Sequence, residues 1–543
     1  MPKVLGADIE LGNLILGIDA PEGTGRQASR ALLAEVDGVP ARRRAHGGPA
    51  GYSAYGGYGA YGGHGGQGAY GGCNGYGWSG GGSAPAPAPE PDWRLDWGRR
   101  FLPANGGSIY IDLDHLELAA PEVRSARDHV AACHAMLRIA RFALHAANAR
   151  QPNGRRIVAL ANNSDGKGHS YGSHLNVCMT RSAWQDVFER RMHPALFFLA
   201  AFQVSSIVIT GAGKTGSERG PRVPWQISGR ADFFEQIVGL ETSYHRPLVN
   251  SRDESHCVAH AKGDARSPAP ARLHSIFFDH TLCHVATWLK AGLMQIVVAM
   301  IEAGRVDRRL ILRWPLQAVR RWSRDPGLRA RARLVGGMSV TAVELQRMFL
   351  DGAARFVSAG GCRAAVPDAD AIVAAWADTL DRLEARDFDV LARRLDWVRK
   401  RSLIERALAT SHGVDWASAD AAYLDQLYGS LDENEGLYWA CERDGAVDRI
   451  VSDAAIDRFV HEPPHDTRAW ARAMLLRSFD ADEIDQVDWS FLKLRLASWA
   501  EQEEPVTVWL HAPHERTRAE HPFTRVAAAA VTHTTEDGEH AGT

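Results

Sequence analysis

Residues 105–122 gather side chains that metal and proton chemistry need. The stretch begins as a short strand, because apolar residues alternate with Tyr110 and Asp112 in a period of two. Four acids and one imidazole stand at and after its end: Asp112, Asp114, His115, Glu117 and Glu122. Hard oxygen ligands at a strand end are what a Mg²⁺ ion on nucleotide phosphates requires. The alternative is a solvated acidic turn.

A second pair of acids lies at the start of the chain. Asp8 and Glu10 in KVLGADIELG are two residues apart, so both face the same side of a predicted strand. One acid in a first strand is ordinary, whereas two on one face favour a metal role. We therefore look for elements that would bring these acids and residues 105–122 together.

The length and composition of the chain limit the class of protein it can belong to. A chain of 543 residues is expected to form two or more domains. A net charge of -3 argues against a nucleic-acid-binding protein. The seven cysteines are scattered, no signal peptide is recognised, and no apolar run approaches the length of a membrane span. We expect a cytoplasmic protein with reduced thiols.

The composition changes sharply after the first predicted helix. Between residues 47 and 82, 18 of 36 residues are glycine, and this window holds six of the 12 tyrosines. Such a segment cannot bury enough apolar surface to offset the entropy of ordering it. We predict a disordered insert over about residues 40–92. It is either a tolerated spacer or a loop that modulates an active site or contacts a partner.

The rest of the pattern predicts an α+β fold. Helices are expected at 24–35, 121–149, 182–204 and 282–303, and almost continuously from 315 to 489. Strands are expected at 105–112, up to 160, from 174, at 206–209, 224–250, 272–278, 488–494 and 506–510. Together these elements predict a large domain of mainly antiparallel strands with helices, followed by a smaller helical C-terminal domain.

Two stretches look like a phosphate-binding loop and a zinc site but lack residues that these motifs require. ITGAGKTG, at residues 209–216, would be a phosphate-binding loop only with glycine at position 208, which is Val208. His256, Cys257 and His260 have ligand chemistry, but no second cluster with zinc spacing accompanies them.

Nine stretches, taken in order, resemble the family of Pup ligase and depupylase, relatives of glutamine synthetase and the carboxylate-amine ligases. They are VLGADIELG, NGGSIYID with HLELAAPE, NNSDGKGHSYGSHLN, SGRADFFEQIVGLET with VNSRDESH, ARLHS, SRDPGL, DWVRKR, PPHDTRA and VDWSFLKL. The resemblance covers residues 2–12 and 97–500. It implies a glutamine-synthetase-like large domain at 1–385, whose sheet forms a cradle packed by helices. A smaller domain at 386–512 would contribute to the nucleotide site, and a polar tail would follow at 513–543.

The resemblance implies a Mg²⁺ site. Asp8, Glu10 and Glu117 would hold Mg²⁺ on ATP, His274 would be a further ligand on the metal side, and Tyr110 would line the site. Carboxylates suit this hard cation.

It also implies a nucleotide site and a catalytic residue. His174 and Arg252 would face the phosphates, Arg468 would reach back from the smaller domain, and Trp489 would pack near the base. Asp112 would be the catalytic aspartate. Within residues 105–122, Glu122 is then assigned to the start of the following helix.

The family has two branches, and both act on a small protein tag. The hydrolase branch cleaves the amide at the tag's terminal glutamate, with nucleotide as a cofactor. The ligase branch uses ATP to join that glutamate to a substrate lysine. The long insert, DGKG, GLET and SRDPGL resemble the hydrolase, whereas RPLVN, DWVRKR and VDWSFLKL resemble the ligase. We favour the hydrolase.

Four departures from the family pattern keep a third reading open. Asp8 and Leu175 stand where glutamate is usual, and Thr281 and His284 stand where asparagine and glutamate are usual. They indicate a divergent member. An inactive nucleotide-binding protein, with an insert that binds a partner, is the remaining alternative.

Overall fold

The computed structural model describes residues 1–40, 97–189, 194–252, 270–410, 414–495, 505–510 and 513. The glycine- and tyrosine-rich insert, the group around His256 and most of the polar tail lie outside these residues.

Strands make up the centre of the molecule. They are β1 (Leu5–Leu16), β2 (Val39–Pro40), β3 (Trp97–Phe101), β4 (Ser108–Asp112), β5 (His115–Ala119), β6 (Arg156–Leu160), β7 (Ser173–Thr180), β8 (Lys214–Thr215), β9 (Trp225–Gln226), β10 (Phe234–Gly239), β11 (Arg246–Asn250), β12 (Pro270–Ser275), β13 (Ala332–Arg333), β14 (Ser339–Val340), β15 (Ile484–Val487), β16 (Phe491–Leu494) and β17 (Val506–Trp509).

An eight-stranded sheet carries the acids. Its order is β12-β7-β1-β5-β4-β3-β2, with β6 also paired to β1, and each of these pairings is antiparallel. β1 is the central strand. It pairs with β5 and β7 through its first half and with β6 from Gly12 onward. The pair β10–β11 is parallel and separate.

Helices cover the sheet and build the C-terminal half. They are α1 (Gly25–Ala34), α2 (Ala126–Ala149), α3 (Arg181–Phe188), α4 (Pro194–Thr210), α5 (His284–Glu302), α6 (Pro315–Ser323), α7 (Ala342–Ser358), α8 (Ala369–Ala385), α9 (Phe388–Leu391), α10 (Asp396–Thr410), α11 (Ala419–Tyr428), α12 (Leu437–Arg443), α13 (Asp453–His461) and α14 (Arg468–Ser478). α5 is long and apolar enough to cross a membrane, but its apolar window is entirely buried inside the protein, as in a core helix.

The buried hydrophobic residues of the described part of the chain form two clusters. The larger one runs from β1 through Trp397 of α10 and Trp439 of α12 to Val460 of α13. The smaller one joins α14 and the sheet β15-β16-β17 to Phe101 of β3. The predicted boundary at residue 386 therefore falls inside the larger cluster.

The predicted strand at 206–209 is wrong, because these residues end helix α4. This helix is buried on all sides, so it lacks the polar face that gives a helix its period of 3.6. Its β-branched residues Ile207, Val208 and Ile209 therefore read locally as a strand.

The helix predicted to begin at residue 121 begins at Ala126. Ser125 caps it by accepting a hydrogen bond from the backbone N–H of Asp128. Glu122 is therefore not in the first turn of this helix, and its assignment to the helix start is wrong.

Candidate active site

Three carboxylates meet where β1, β5 and β4 lie side by side. Glu10 is opposite Glu117, and Glu117 is opposite Tyr110, so these side chains share a face of the sheet. Asp112, two residues after Tyr110, points to the same face. One carboxylate oxygen from each of Glu10, Asp112 and Glu117 lies within 4.8 Å of the others. We call these three residues the oxygen group.

The turn that follows Asp112 is tight. β4 and β5 form a hairpin in which Asp112 pairs with His115, leaving two residues between them. The first of these, Leu113, has φ of 53°, a left-handed conformation that favours glycine. The hairpin places Asp112 at the edge of the buried site.

The three carboxylates are in different electrostatic environments. Burial and the charges of Asp112 and Glu10 raise the pKa of Glu117 well above its ordinary value, although the Tyr110 hydroxyl donates to Glu117 at 2.7 Å. Burial alone would also raise the pKa of Glu10, but His174 and the other groups around it lower that pKa overall. Crowded, buried carboxylates of this kind are stabilised by a divalent cation.

A second group combines two imidazoles with a carboxylate. Asp8 is opposite His174 in the β1–β7 pairing, and ligand atoms of Asp8, His174 and His274 lie within 4.8 Å of one another. The two rings are edge to face at 4.9 Å. Nε2 of His174 is 3.8 Å from Oε1 of Glu10, which connects this histidine group to the oxygen group. Burial lowers the pKa of His174, so its ring is neutral and can act as a ligand.

Asn176 orients the histidine group. Its Nδ2 donates to Oδ2 of Asp8 at 2.9 Å, which turns its Oδ1 toward Nδ1 of His274 at 2.8 Å. Because an amide oxygen only accepts, Nδ1 of His274 carries the proton and Nε2 carries the lone pair. Sequence reasoning missed Asn176, although its position two residues after His174 indicates that it shares the same face of β7.

Gly172 makes room for this arrangement. A Cβ at Gly172 would lie 2.3 Å from Nε2 of His174. The backbone N–H of Gly172 also donates to Oε2 of Glu10 at 2.5 Å.

A cavity opens beside Asp8. Residues from widely separated parts of the chain line it, among them Asp8, Asn176, Arg272, Arg468 and Trp489. The Trp489 ring is held between Phe101, at 5.3 Å and edge to face, and the guanidinium of Arg472, at 4.7 Å from the ring centroid. An aromatic ring, arginines and carboxylates around one cavity suit a base bearing phosphates.

Arg99 is a further cation beside the oxygen group. Its guanidinium carbon lies 3.6 Å from the centroid of the Tyr110 ring and 6.0 Å from that of Trp489. It lies a short distance after the predicted insert, in a part of β3 where a bulge breaks the regular alternation. Sequence reasoning missed it for that reason.

Glu122 forms ion pairs with two arginines of α14. Arg468 Nε donates to its Oε1 at 2.7 Å, and Arg472 contacts both of its oxygens. Burial would raise the pKa of Glu122, but Arg472 and Arg468 outweigh it and lower the pKa to about 2. Glu122 therefore anchors α14 to the eight-stranded sheet.

Other predicted residues lie outside the two groups. Arg252 follows β11 at the surface, where its backbone N–H donates to Asn250 Oδ1, and it does not line the cavity beside Asp8. Asp114 is exposed and pairs with Arg26 at 3.0 Å. His115 turns away to the carbonyl of Leu11.

Three of the four departures from the family pattern are buried elsewhere. Leu175 belongs to the larger hydrophobic cluster, on the face of β7 opposite His174. Thr281 bonds Thr287, and His284 packs on the ring of His134 at 4.3 Å. None of the three belongs to the oxygen group or the histidine group, or lines the cavity beside Asp8.

The stretch ITGAGKTG does not form a phosphate-binding loop. It runs from the end of α4 into the short strand β8, so no helix starts at its glycines. Lys214 pairs with Glu218 at 2.7 Å beside a separate cavity of about 270 Å³.

Comparison with known proteins found related sequences over most of the chain. A family model described as Pup-ligase protein matches residues 83–493. The depupylase of Acidothermus cellulolyticus is 36% identical over 386 residues, which are 71% of this chain and 73% of the relative. The Pup deamidase/depupylase of Mycolicibacterium smegmatis is 36% identical over 70% of this chain and 72% of its own length. The Pup–protein ligase of Acidimicrobium ferrooxidans is 35% identical over 74% of this chain and 85% of its own length.

Two solved structures have a similar fold. The complex between the prokaryotic ubiquitin-like protein Pup and its ligase PafA has a TM-score of 0.73 and 21% identity, and covers 99% of this chain and 96% of that one. The Pup ligase PafA in complex with ADP has a TM-score of 0.67 and 25% identity, and covers 81% of this chain and 91% of that one. The predicted glutamine-synthetase-like α+β fold is confirmed.

Proposed function

Because the chain belongs to the Pup-ligase family, we propose that it is a nucleotide-dependent enzyme that makes or cleaves an amide bond on a small protein tag of the Pup type. We further propose that it works as an amide hydrolase. The observation that carries the enzymatic role is the oxygen group, in which Glu117 is buried while Asp112 and Glu10 are partly exposed. We place the enzyme in the cytoplasm, in keeping with its five buried free cysteines among the described residues.

The cavity beside Asp8 is the proposed nucleotide site. A related ligase structure was solved with ADP. In this chain Trp489 would pack against the base, and Arg468 and Arg272 would face the phosphates. Tyr110, beneath Arg99, would line the phosphate end. His174 belongs to the histidine group, and its Nε2 is 3.8 Å from Oε1 of Glu10 in the oxygen group. It therefore connects the cavity beside Asp8 to the group that contains Asp112.

Mg²⁺ is the proposed metal. Glu10 and Glu117 supply hard oxygens, and Asp8 and His274 extend the ligand set on the nucleotide side. A bound Mg²⁺ would neutralise phosphate charge and polarise the oxygens it contacts. The raised pKa of Glu117 fits this role, because a cation there offsets the repulsion from Asp112 and Glu10.

Asp112 is the proposed catalytic residue. Unlike Glu117 it is only partly buried, so it can reach an incoming chain end. Its carboxylate would accept a proton from the attacking water, and the C–N bond would break as that proton passes to the leaving amine. Alternatively the carboxylate attacks the carbonyl itself, the C–N bond breaks, and the amine leaves with a proton taken from solvent. Water then hydrolyses the resulting anhydride to the two carboxylates.

The ligase is the second candidate, because a relative named as a ligase matches a larger share of its own length than the hydrolases do. In that reaction Asp112 would take the proton of the acceptor lysine as its amine attacks an activated carboxyl.

Substituting Asp112→Asn tests the catalytic assignment. We expect loss of turnover with unchanged ADP affinity, because the amide keeps the shape and removes the base. Asp114→Asn, in the same hairpin but exposed, is the matched control and should keep its activity. Wild-type turnover by Asp112→Asn would refute the assignment.

A single incubation separates the branches. The protein is mixed with ATP, a tag ending in glutamine or glutamate, and a lysine-bearing acceptor. Release of ammonia from the tag ending in glutamine, without matching ADP, supports the hydrolase, whereas ADP formed in proportion to new conjugate eliminates it. Nucleotide binding with neither product would support the inactive interaction protein.

A further inference from the structure

One segment of this slightly acidic chain is strongly basic. Residues 305–333 contain ten arginines and two aspartates, with no lysine or glutamate, whereas the whole chain has a net charge of -3. Neither the oxygen group, the histidine group nor the two cavities described above include any residue of this segment.

Four of these arginines lie next to one another. The backbone N–H of Arg313 donates to the carbonyl of Arg333 at 2.9 Å, which places the two side by side across a short antiparallel bridge. Arg321 Nη1 donates to the carbonyl of Arg331 at 2.9 Å, and Arg331 Nη2 donates to that of Ser339 at 2.6 Å. We call Arg313, Arg321, Arg331 and Arg333 the arginine surface.

Most of this charge is not compensated. Arg331 pairs with Glu344 at 2.8 Å, but both side chains are 47% exposed, so the pair is weak. Arg313, Arg321 and Arg333 are exposed, and none forms an ion pair with a carboxylate in the part of the chain that the structure describes. A positive field therefore covers this face.

Apolar side chains stand within the same face. Val335 and Met338, at the tip of the β13–β14 hairpin, are 59% and 57% exposed, and Trp314 is 48% exposed. Leu334 and Leu312 bridge beneath them and are buried, so the hairpin is fixed to the core. Exposed apolar residues ringed by charge are typical of a protein-binding surface.

We propose that the arginine surface, with Trp314, Val335 and Met338, docks an acidic polypeptide segment that carries apolar side chains. Carboxylates of that segment match the planar guanidinium groups, and its apolar side chains cover the hairpin tip. The surface lies apart from the oxygen group, so the proposal holds for either direction of the reaction.

Two other polyanions fit the chemistry less well. Nucleic-acid bases stack on open aromatic faces, whereas the guanidinium of Arg313 already lies 4.7 Å from the centroid of the Trp314 ring. A membrane surface would need a broader apolar face than a hairpin tip with two aliphatic side chains.

The test is direct binding to the full-length protein. The probe is a fluorescein-labelled peptide of about 20 residues, rich in glutamate with spaced leucines, measured by anisotropy at low and high salt. We expect saturable binding that weakens as salt rises. Reversing two charges in the variant Arg313→Glu/Arg333→Glu should weaken it by about tenfold or more.

The control reverses two exposed arginines elsewhere, Arg155→Glu/Arg406→Glu, and should bind as the wild type does. Met338→Ser tests the apolar part and should weaken binding with the charge intact. ADP affinity should be unchanged in all three variants, which shows that they fold.

Three results would overturn the proposal. One is equal peptide affinity in wild type and Arg313→Glu/Arg333→Glu, and another is no saturable peptide binding. The third is binding of a single-stranded oligonucleotide, or of vesicles containing phosphatidylserine, that is lost in this variant while peptide binding is not.

Discussion

The substitution Glu122→Gln should loosen the contact between α14 and the eight-stranded sheet. Glu122 is buried, and Arg468 and Arg472 both hydrogen-bond its carboxylate. Glutamine keeps the size of the side chain but removes its charge. The two guanidinium groups then remain buried next to each other with their shared counter-charge gone.

The magnitude follows from the pKa. The ordinary value for Glu122 is 4.5, and although burial would raise it, Arg472 and Arg468 lower it to about 2. Each pKa unit corresponds to about 1.4 kcal/mol, so ionised Glu122 contributes about 3 kcal/mol to the folded state. Breaking a buried pair by removing one partner typically costs 3–5 kcal/mol, roughly the same range.

The lowered pKa of Glu122 also fixes how its contribution to stability changes with pH. Because the folded-state pKa is lowered, the contribution of Glu122 is fully present above pH 4.5 and is lost as the pH falls toward about 2. Glu122→Gln lacks this contribution at every pH. The stabilities of variant and wild type should therefore converge in that acidic window.

Urea unfolding and amide hydrogen exchange of α14 measure the effect. We expect faster exchange in residues 468–478 of Glu122→Gln and weaker ADP binding, because Arg468 and Glu122 both line the cavity beside Asp8. The control is Asp381→Asn, which breaks the ion pair between Asp381 and Arg347. Because the Asp381 side chain is 68% exposed, this substitution should lower the free energy of unfolding by less than about 1 kcal/mol. A Glu122→Gln protein as stable as this control would refute the reasoning.

Three further predictions concern the site. Glu117→Gln should raise the melting temperature of the nucleotide-free protein, because burial and neighbouring carboxylates raise the pKa of Glu117 and make its charge costly above pH 4.5; a lowered melting temperature would contradict this. In the wild type, Mg²⁺ affinity measured by calorimetry should fall as the pH is lowered and protons compete at Glu117, and this dependence should be weaker in the variant. Gly172→Ala should weaken binding of Mg²⁺ and ADP with little change in melting temperature, because its Cβ would displace His174; unchanged affinity would show that His174 has no part in binding. Leu113→Gly should stabilise the protein by up to about 1 kcal/mol in urea unfolding by removing a left-handed leucine, and a loss of stability would show that the Leu113 side chain matters more than its φ.

Local periodicity predicted the elements that carry the site. The alternation around Tyr110 and the spacing of Asp8 and Glu10 depend on neighbouring residues alone, and β4 and β1 lie where they were expected. The order of nine short motifs indicated the family and its fold, which the comparisons confirm.

Long-range pairing was outside the reach of sequence reasoning. Glu122 follows a proline and precedes a helix, so it read as a helix-start acid, but its partners Arg468 and Arg472 lie 346 and 350 residues away. The division of the acids and histidines into two groups depends on strand register, which puts Asp8 opposite His174 and Glu10 opposite Glu117. No local sequence pattern determines that register.

The central position of β1 has a consequence for synthesis on the ribosome. The strand is made first, but β7, its partner on one side, ends only at Thr180, and β12, which pairs with β7, begins at Pro270. Lys3, just before β1, pairs with Glu302, and its backbone N–H donates to the carbonyl of Ala365. Arg468, which closes the cavity beside Asp8, emerges later still. Contacts of such sequence separation form slowly. An incomplete chain therefore lacks the complete cavity beside Asp8. It also exposes the edge of β1 until β7 has been made, and the edge of β7 until β12 has been made, and such open edges favour aggregation.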